Sequence, residues 1–202
     1  MKPVKPFLDS NFSEMEQIPR NFTVCFDSVP VGKTTKTRVS INGMQVGDFI
    51  DDNSLENDSY RFHDVFHYTF ATMLGWSPCT RAMMKRKRKS NPIVDEIEDG
   101  ARATITEESI SLIIFNKAKR KDFFKDNLKV SPSLLNLIKE MTTPFEVAAK
   151  SKKEWENAIL QGYSLFRELV KHNGGKIHFD MLKQSATYEN RICPSQPHYL
   201  FL

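Results

Sequence analysis

His63, Asp64 and His67 crowd one stretch of the chain, "RFHDVFHYTF", just ahead of an apolar run. Positions four apart project from the same side of a helix, so His63 and His67 stand side by side with Asp64 next to them. Two imidazoles and a carboxylate in that arrangement allow a buried hydrogen-bonded knot, a metal site or a contact with phosphate. The i, i+4 pair is the spacing that zinc hydrolases use on one helix. Here the intervening acid is out of place for that motif and no third ligand is evident. His63 and His67 therefore read either as orienting partners of a carboxylate or as direct contacts to metal or phosphate.

A second group of acids lies downstream in "VDEIEDGARATITEES": Asp95, Glu96, Glu98 and Asp99, then Glu107 and Glu108. Read as one helix over 93–118, Asp95, Glu98 and Arg102 share a solvent-facing stripe, while Glu96 and Asp99 point the same way. Glu107 lies near the face of Glu96 but roughly 16 Å further along. Glu108 falls in the stripe of Ile97, Ala101 and Leu112, an apolar setting where an unpaired carboxylate calls for a cation, a metal or a proton. Carboxylate-rich clusters suit Mg²⁺, or Mn²⁺, rather than zinc. Such ions bridge phosphate oxygens and neutralise developing charge.

Several elements must position these groups. Alternation from "NFTVCFDSV" to "TKTRVSINGMQVGDFI" predicts an antiparallel hairpin or meander. Within it "VGKTT" is a turn and not a phosphate loop, because the glycine required five positions before Gly32 is missing and Asp27 stands there. Helices are predicted over 60–75, from Ser77-Pro78 through the basic run "KRKRK", over 93–118, from Ser131-Pro132, and over 145–173 with Gly174-Gly175 as its stop. The closing "KIHFDMLKQSATYE" alternates again and suits a strand returning to the N-terminal hairpin. The expected fold class is mainly α: a helical bundle with a small antiparallel β-sheet from the N- and C-terminal segments. The boundaries expected are an arm and hairpin over 1–57, a bundle over 58–175 and a strand and tail over 176–202, in one compact unit.

The 202 residues carry a net charge of +4, and 40% of them are hydrophobic, the profile of an ordinary globular domain. The three cysteines, Cys25, Cys79 and Cys193, are too few and too scattered for a disulfide framework or a zinc cage, so a cytoplasmic setting is expected. No membrane segment is expected. The excess charge gathers at residues 85–89, which suits a phosphate-bearing partner or a solvated helix face.

"RFHDVFHYTFATMLGWSPCTRAMMKRKRKS" is similar to the helix-turn-helix of MazG-type, all-α nucleoside triphosphate pyrophosphohydrolases, with "VDEIEDGARATITEESI" resembling the acidic partner helix. The resemblance spans about residues 58–120 and identifies a divergent MazG-like subgroup. It implies hydrolysis of a (d)NTP to (d)NMP and pyrophosphate with Mg²⁺, or Mn²⁺, as cofactor. The implied catalytic residues are Asp64, Glu96, Asp99 and Glu108, with Glu107 joining them as metal ligands. His63, His67, Arg81, Lys85, Arg88 and Trp76 are the implied substrate contacts, the basic residues meeting the triphosphate from one helix face and Trp76 stacking on the base. The sequence departs from the family at Arg61, which stands where the first glutamate of E-x-x-D is expected, and the acidic helix follows Asp64 instead of preceding it. If the two helices run parallel, Glu96 and Asp99 lie level with Asp64; if antiparallel, Glu107 and Glu108 do. The resemblance also implies a homodimer or larger homo-oligomer, supported by the apolar face of the helix over 145–172. The alternative readings are a catalytically inactive nucleotide sensor and a nucleic-acid-binding module using Lys85–Lys89.

Overall fold

The computed structural model describes residues 7–126 and 129–190. The fold is mixed α/β. Strands β1 (Asn21–Val31), β2 (Thr34–Ile41), β3 (Met44–Gln45), β4 (Gly174–Asp180) and β5 (Ser185–Glu189) form one antiparallel sheet in the order β3-β2-β1-β4-β5. The two chain ends meet in register, with Val24 opposite Ile177 and Phe22 opposite Phe179. The expected return of the C-terminal segment to the N-terminal hairpin is therefore present, but as a hairpin of two strands. The sheet is a full layer, so a mainly α description falls short. Gly32 at φ +62° makes the β1–β2 turn, which disposes of "VGKTT" as a phosphate loop.

Against this sheet lie α1 (Asp64–Leu74) and α6 (Lys152–His172). All residues of α1 except Met73 are buried, as expected of a helix that is hydrophobic on every side. Tyr68 of α1 sits on Phe22 and Phe26 of β1 and on Phe179 of β4, with ring centroids 6.2, 6.3 and 6.0 Å away. Phe66 meets Tyr163 and Phe166 of α6. The two helices come this close because Gly162 has no side chain: a Cβ there would lie 3.2 Å from Phe66. Ser151 and Glu154 form a reciprocal capping box that starts α6. The helix ends at Asn173 in the left-handed conformation, and Gly174 and Gly175 instead open β4. The apolar face of α6, including Trp155, Ile159, Tyr163 and Phe166, is spent inside the fold and does not offer the dimer surface expected of it.

The acidic helix is two helices. α3 (Pro92–Ile97) ends at Glu98, and α4 (Ala101–Lys119) restarts after the extended Gly100. The basic helix is also shorter than expected: α2 (Pro78–Met83) stops where Lys85 takes φ +56°. Between them α4 and α2 pack beside α1, with α5 (Pro132–Met141) contributing Leu134, Leu135 and Ile138 to the core. Among the described residues, no helix is long and apolar enough to cross a membrane. The C-terminal tail, with Cys193 and His198, lies outside the described residues.

Candidate functional site

The polar residues sort into two groups. The first joins the N-terminal arm, α2 and the loop after α3. Asp9 is buried and accepts hydrogen bonds from Arg20 Nη2 (2.7 Å) and Arg81 Nη2 (3.0 Å). Asp99 receives Arg88 twice, Nη2 at 2.7 Å and Nε at 3.1 Å, and accepts the Arg88 backbone N–H as well. Arg88 also reaches Glu146, and Arg81 approaches Asp99 at 3.6 Å. Burial works against the charge on Arg88, yet its bonds to Asp99 and Glu146 raise its pKa. Arg81, with burial and the neighbouring Arg88 against it, is lowered from its ordinary value.

This group overturns several expected contacts. Arg81 and Arg88 are about 1% exposed and already ion-paired, so they are not available to a triphosphate. Lys85 is exposed, but on a turn, not on a shared helix face with them. Trp76 is 1% exposed and lies against Phe145 and Trp155, so it fills the core and stacks on no base. Asp99 serves as the partner of Arg88 and not as a metal ligand, and Glu96 is exposed on the separate α3. The break at Gly100 is the physical reason: it turns Asp99 inward to Arg88 instead of continuing the acidic face. Arg61 pairs with Asp52 at 3.1 Å and binds Asn57 and Asn173, a structural clamp.

The second group lies where α1, α2 and α4 meet. It contains Glu107 and Glu108, the pair expected to reach the histidine turn in an antiparallel arrangement. Glu107 is fully buried and accepts hydrogen bonds from His67 Nδ1 (2.9 Å), Ser77 Oγ (2.7 Å) and the Cys79 N–H (2.9 Å). On the other side of the ring, His67 Nε2 stands 3.4 Å from Glu108 Oε1 and has no hydrogen-bond partner. Glu108 is not in an apolar stripe: its side chain is 45% exposed. His63 stacks on Tyr60 at 4.3 Å, and its Nδ1 lies 2.9 Å from the Tyr60 carbonyl. Its Nε2 is 3.4 Å from Asp64 Oδ1. One ligand atom each from His63, His67 and Glu108 falls within 4.8 Å of the others. This supplies the third donor that the two-histidine spacing lacks: Glu108, already among the metal ligands the resemblance implies, comes from a helix about forty residues away.

Burial disfavours a charged ring at His67, but Cys79 and Glu107 outweigh it and raise the pKa well above 6.5. Burial also pushes the Cys79 thiol up, so the neutral thiol prevails and the Glu107 carboxylate is the physical source of the effect on His67. Burial lowers His63 below 6.5, with Asp64 opposing. At Glu108 burial acts upward, but His67 and then His63 hold the carboxyl down at about 2. Tyr60 is pushed up to about 12 by burial and by Glu108. The site thus has a protonation gradient from a neutral His63 to an ionised Glu108. Tyr60, Ser77 and Cys79 were not singled out as site residues; Ser77 had a signal only as a helix cap, and Tyr60 and Cys79 had none. A hollow of about 430 Å³ on the sheet, lined by residues such as Thr23, His178 and Asp180, shares no residue with this cluster.

The chain matches the family model of the MazG C-terminal domain over residues 3–192 and belongs to that family. The match is to this C-terminal domain and not to the pyrophosphohydrolase domain of MazG, which corrects the resemblance drawn from the helix-turn-helix. No curated protein and no solved structure matches the chain.

Proposed function

We propose that this member of the MazG C-terminal domain family is a metal-dependent hydrolase cleaving a nucleoside triphosphate to the monophosphate and pyrophosphate. The observation that carries the proposal is the buried, unpartnered His67 Nε2 facing the half-exposed Glu108, a polar atom that the fold prepares and leaves without a partner. The donor set fits a divalent cation, which supplies charge neutralisation at the phosphate oxygens. Glu108, held at about 2, stays ionised and serves to hold the cation rather than to accept a proton. Asp64, beside His63, takes the proton of the attacking water. Glu107 acts through His67, fixing its ring from behind. With Arg81 and Arg88 spent on Asp9 and Asp99, charge compensation falls to the cation rather than to these arginines. Mg²⁺ or Mn²⁺ is the ion that the carboxylate-rich sequence leads one to expect, and the assay includes both; a set with two imidazoles suits them less well than an all-oxygen one. A homodimer, if it forms, would use exposed Ile93, Ile97, Ile105 and Leu112, since α6 is occupied.

A pyrophosphate-release assay over a panel of NTPs and dNTPs, with Mg²⁺, Mn²⁺ or chelator, tests the reading. Metal-dependent pyrophosphate release lost in Asp64→Ala and Glu108→Gln is the expected result. A folded protein with no turnover would overturn it and favour the nucleotide-sensor alternative. Salt-sensitive binding to nucleic acid through Lys85, Lys87 and Lys89, again with no turnover, would favour the other.

A further inference from the structure

We infer that His63 Nε2, His67 Nε2 and a Glu108 carboxylate oxygen form a three-donor site for an imidazole-accepting divalent ion of the Zn²⁺ or Co²⁺ class. The inference rests on the hydrolase reading for its purpose, but fixes the ion and its donor atoms on separate grounds. The tautomers come first. A carbonyl oxygen only accepts, so the 2.9 Å contact to the Tyr60 oxygen places the His63 proton on Nδ1. Glu107 likewise accepts from His67 Nδ1. A metal ion displaces the second proton that the raised pKa keeps on the His67 ring, leaving one lone pair on Nε2 of each ring; His67 Nε2 faces Glu108 Oε1 at 3.4 Å, and a ring nitrogen of His63 lies within 4.8 Å of this pair's ligand atoms.

Spacing agrees with this assignment. A tetrahedral ion with bonds of about 2.0–2.1 Å sets its ligands about 3.3 Å apart. His67 Nε2 and Glu108 Oε1 are 3.4 Å apart without making a hydrogen bond. The supports behind the donors are also those of a metal site: a carbonyl behind one histidine, a carboxylate behind the other. That carboxylate, Glu107, is itself fixed by Ser77 Oγ and the Cys79 N–H. The exposed side of Glu108 leaves room for a fourth ligand, as sites that perform chemistry require. Two imidazoles and one carboxylate are a poor set for Mg²⁺, which prefers oxygen. The neighbouring triad His67, Cys79 and Glu107 is not the site, because its His67 Nδ1 is already bonded to Glu107.

Co²⁺ titrated into the metal-free full chain, followed by its visible ligand-field absorption, tests the site without reference to turnover. We expect one ion per chain, a visible band displaced by Zn²⁺ and no displacement by Mg²⁺ at comparable concentration. His63→Gln and Glu108→Gln should weaken binding by more than the about 10- to 100-fold typical of a supporting residue. Glu107→Gln should fall within that range. Circular dichroism of the variants checks that each is folded; His63 and Glu108 are the partly exposed donors, so their substitution spares the core. No stoichiometric binding, binding unchanged in both variants, or equal competition by Mg²⁺ would overturn the assignment. Co²⁺ binding without pyrophosphate release would remove the hydrolase reading and leave the site. Pyrophosphate release with Mg²⁺ that survives His63→Gln would do the reverse.

Discussion

The Asp9–Arg81–Arg88–Asp99 network and the His63–His67–Glu107–Glu108 cluster are both polar, both largely buried and both assembled from distant parts of the chain. They differ in what is left over. In the arginine network each guanidinium meets carboxylates in close geometry, and Asp99 alone takes three donors from Arg88. In the histidine cluster the inner half is equally well matched at Glu107, but the outer half leaves His67 Nε2 without a partner. The arginine network holds the arm to the body; the histidine cluster leaves a buried ring nitrogen facing a half-exposed carboxylate, the arrangement on which the metal-site proposal rests. Charge type alone, which is what a sequence displays, does not separate the two.

The sharpest way to break the comparison is Asp99→Ala. It strands Arg88 in the interior and should cost about 3–5 kcal/mol in urea unfolding. Co²⁺ binding by the fraction that remains folded should not change. An Asp99→Ala chain of unaltered stability would mean that the network is not the structural member of the pair.

Glu107→Gln is next in size, with an expected loss of about 1.5–3 kcal/mol from the charge-assisted bonds it removes. Its pH dependence has a definite sign. His67 has a folded pKa raised above 6.5, so its contribution is fully present below 6.5 and drains away as pH rises through the raised value. The gap between wild type and Glu107→Gln should therefore shrink toward alkaline pH; a constant gap would sink the pairing.

Glu108→Gln acts at the other end of the scale. The Glu108 carboxyl is lowered from 4.5 to about 2, so the stability it lends is present above 4.5 and lost as pH falls toward 2. Wild type should be the more stable of the two near neutrality and should lose that advantage across this window, the two converging as pH falls toward 2. Parallel acid-unfolding curves would show that Glu108 does not interact with the two histidines. Smallest of all, Lys85→Ala and Glu96→Gln should each move stability by no more than about 0.5 kcal/mol, both side chains being exposed. A large loss of pyrophosphate release in either would return the basic turn or α3 to the site.

Much of this protein was legible before the fold was known. The alternation in "NFTVCFDSV" and "KIHFDM" carries the two strands that pair at the centre of the sheet, because a half-buried strand must repeat every second residue. The start of α6 at Ser151 lies later than the residue 145 expected from its pattern, but Ser77-Pro78, Asn91-Pro92 and Ser131-Pro132 each mark a helix start, because capping chemistry is local. His63 and His67 were visible as a pair for the same reason.

Tertiary structure decided the rest. Which carboxylates meet the histidines depends on how α4 lies against α1, and no local rule gives that. Glu107 and Glu108 are adjacent in sequence, yet one is sealed behind His67 and the other opens to solvent, since successive helical residues point about 100° apart. Arg81 and Arg88 resembled a phosphate grip until burial fixed them on Asp9 and Asp99. The sequence by itself determined the periodicities, the caps and the chemical types available. The packing of distant segments determined which of those charges are neutralised within the fold and which buried nitrogen, His67 Nε2, is left without a hydrogen bond beside Glu108.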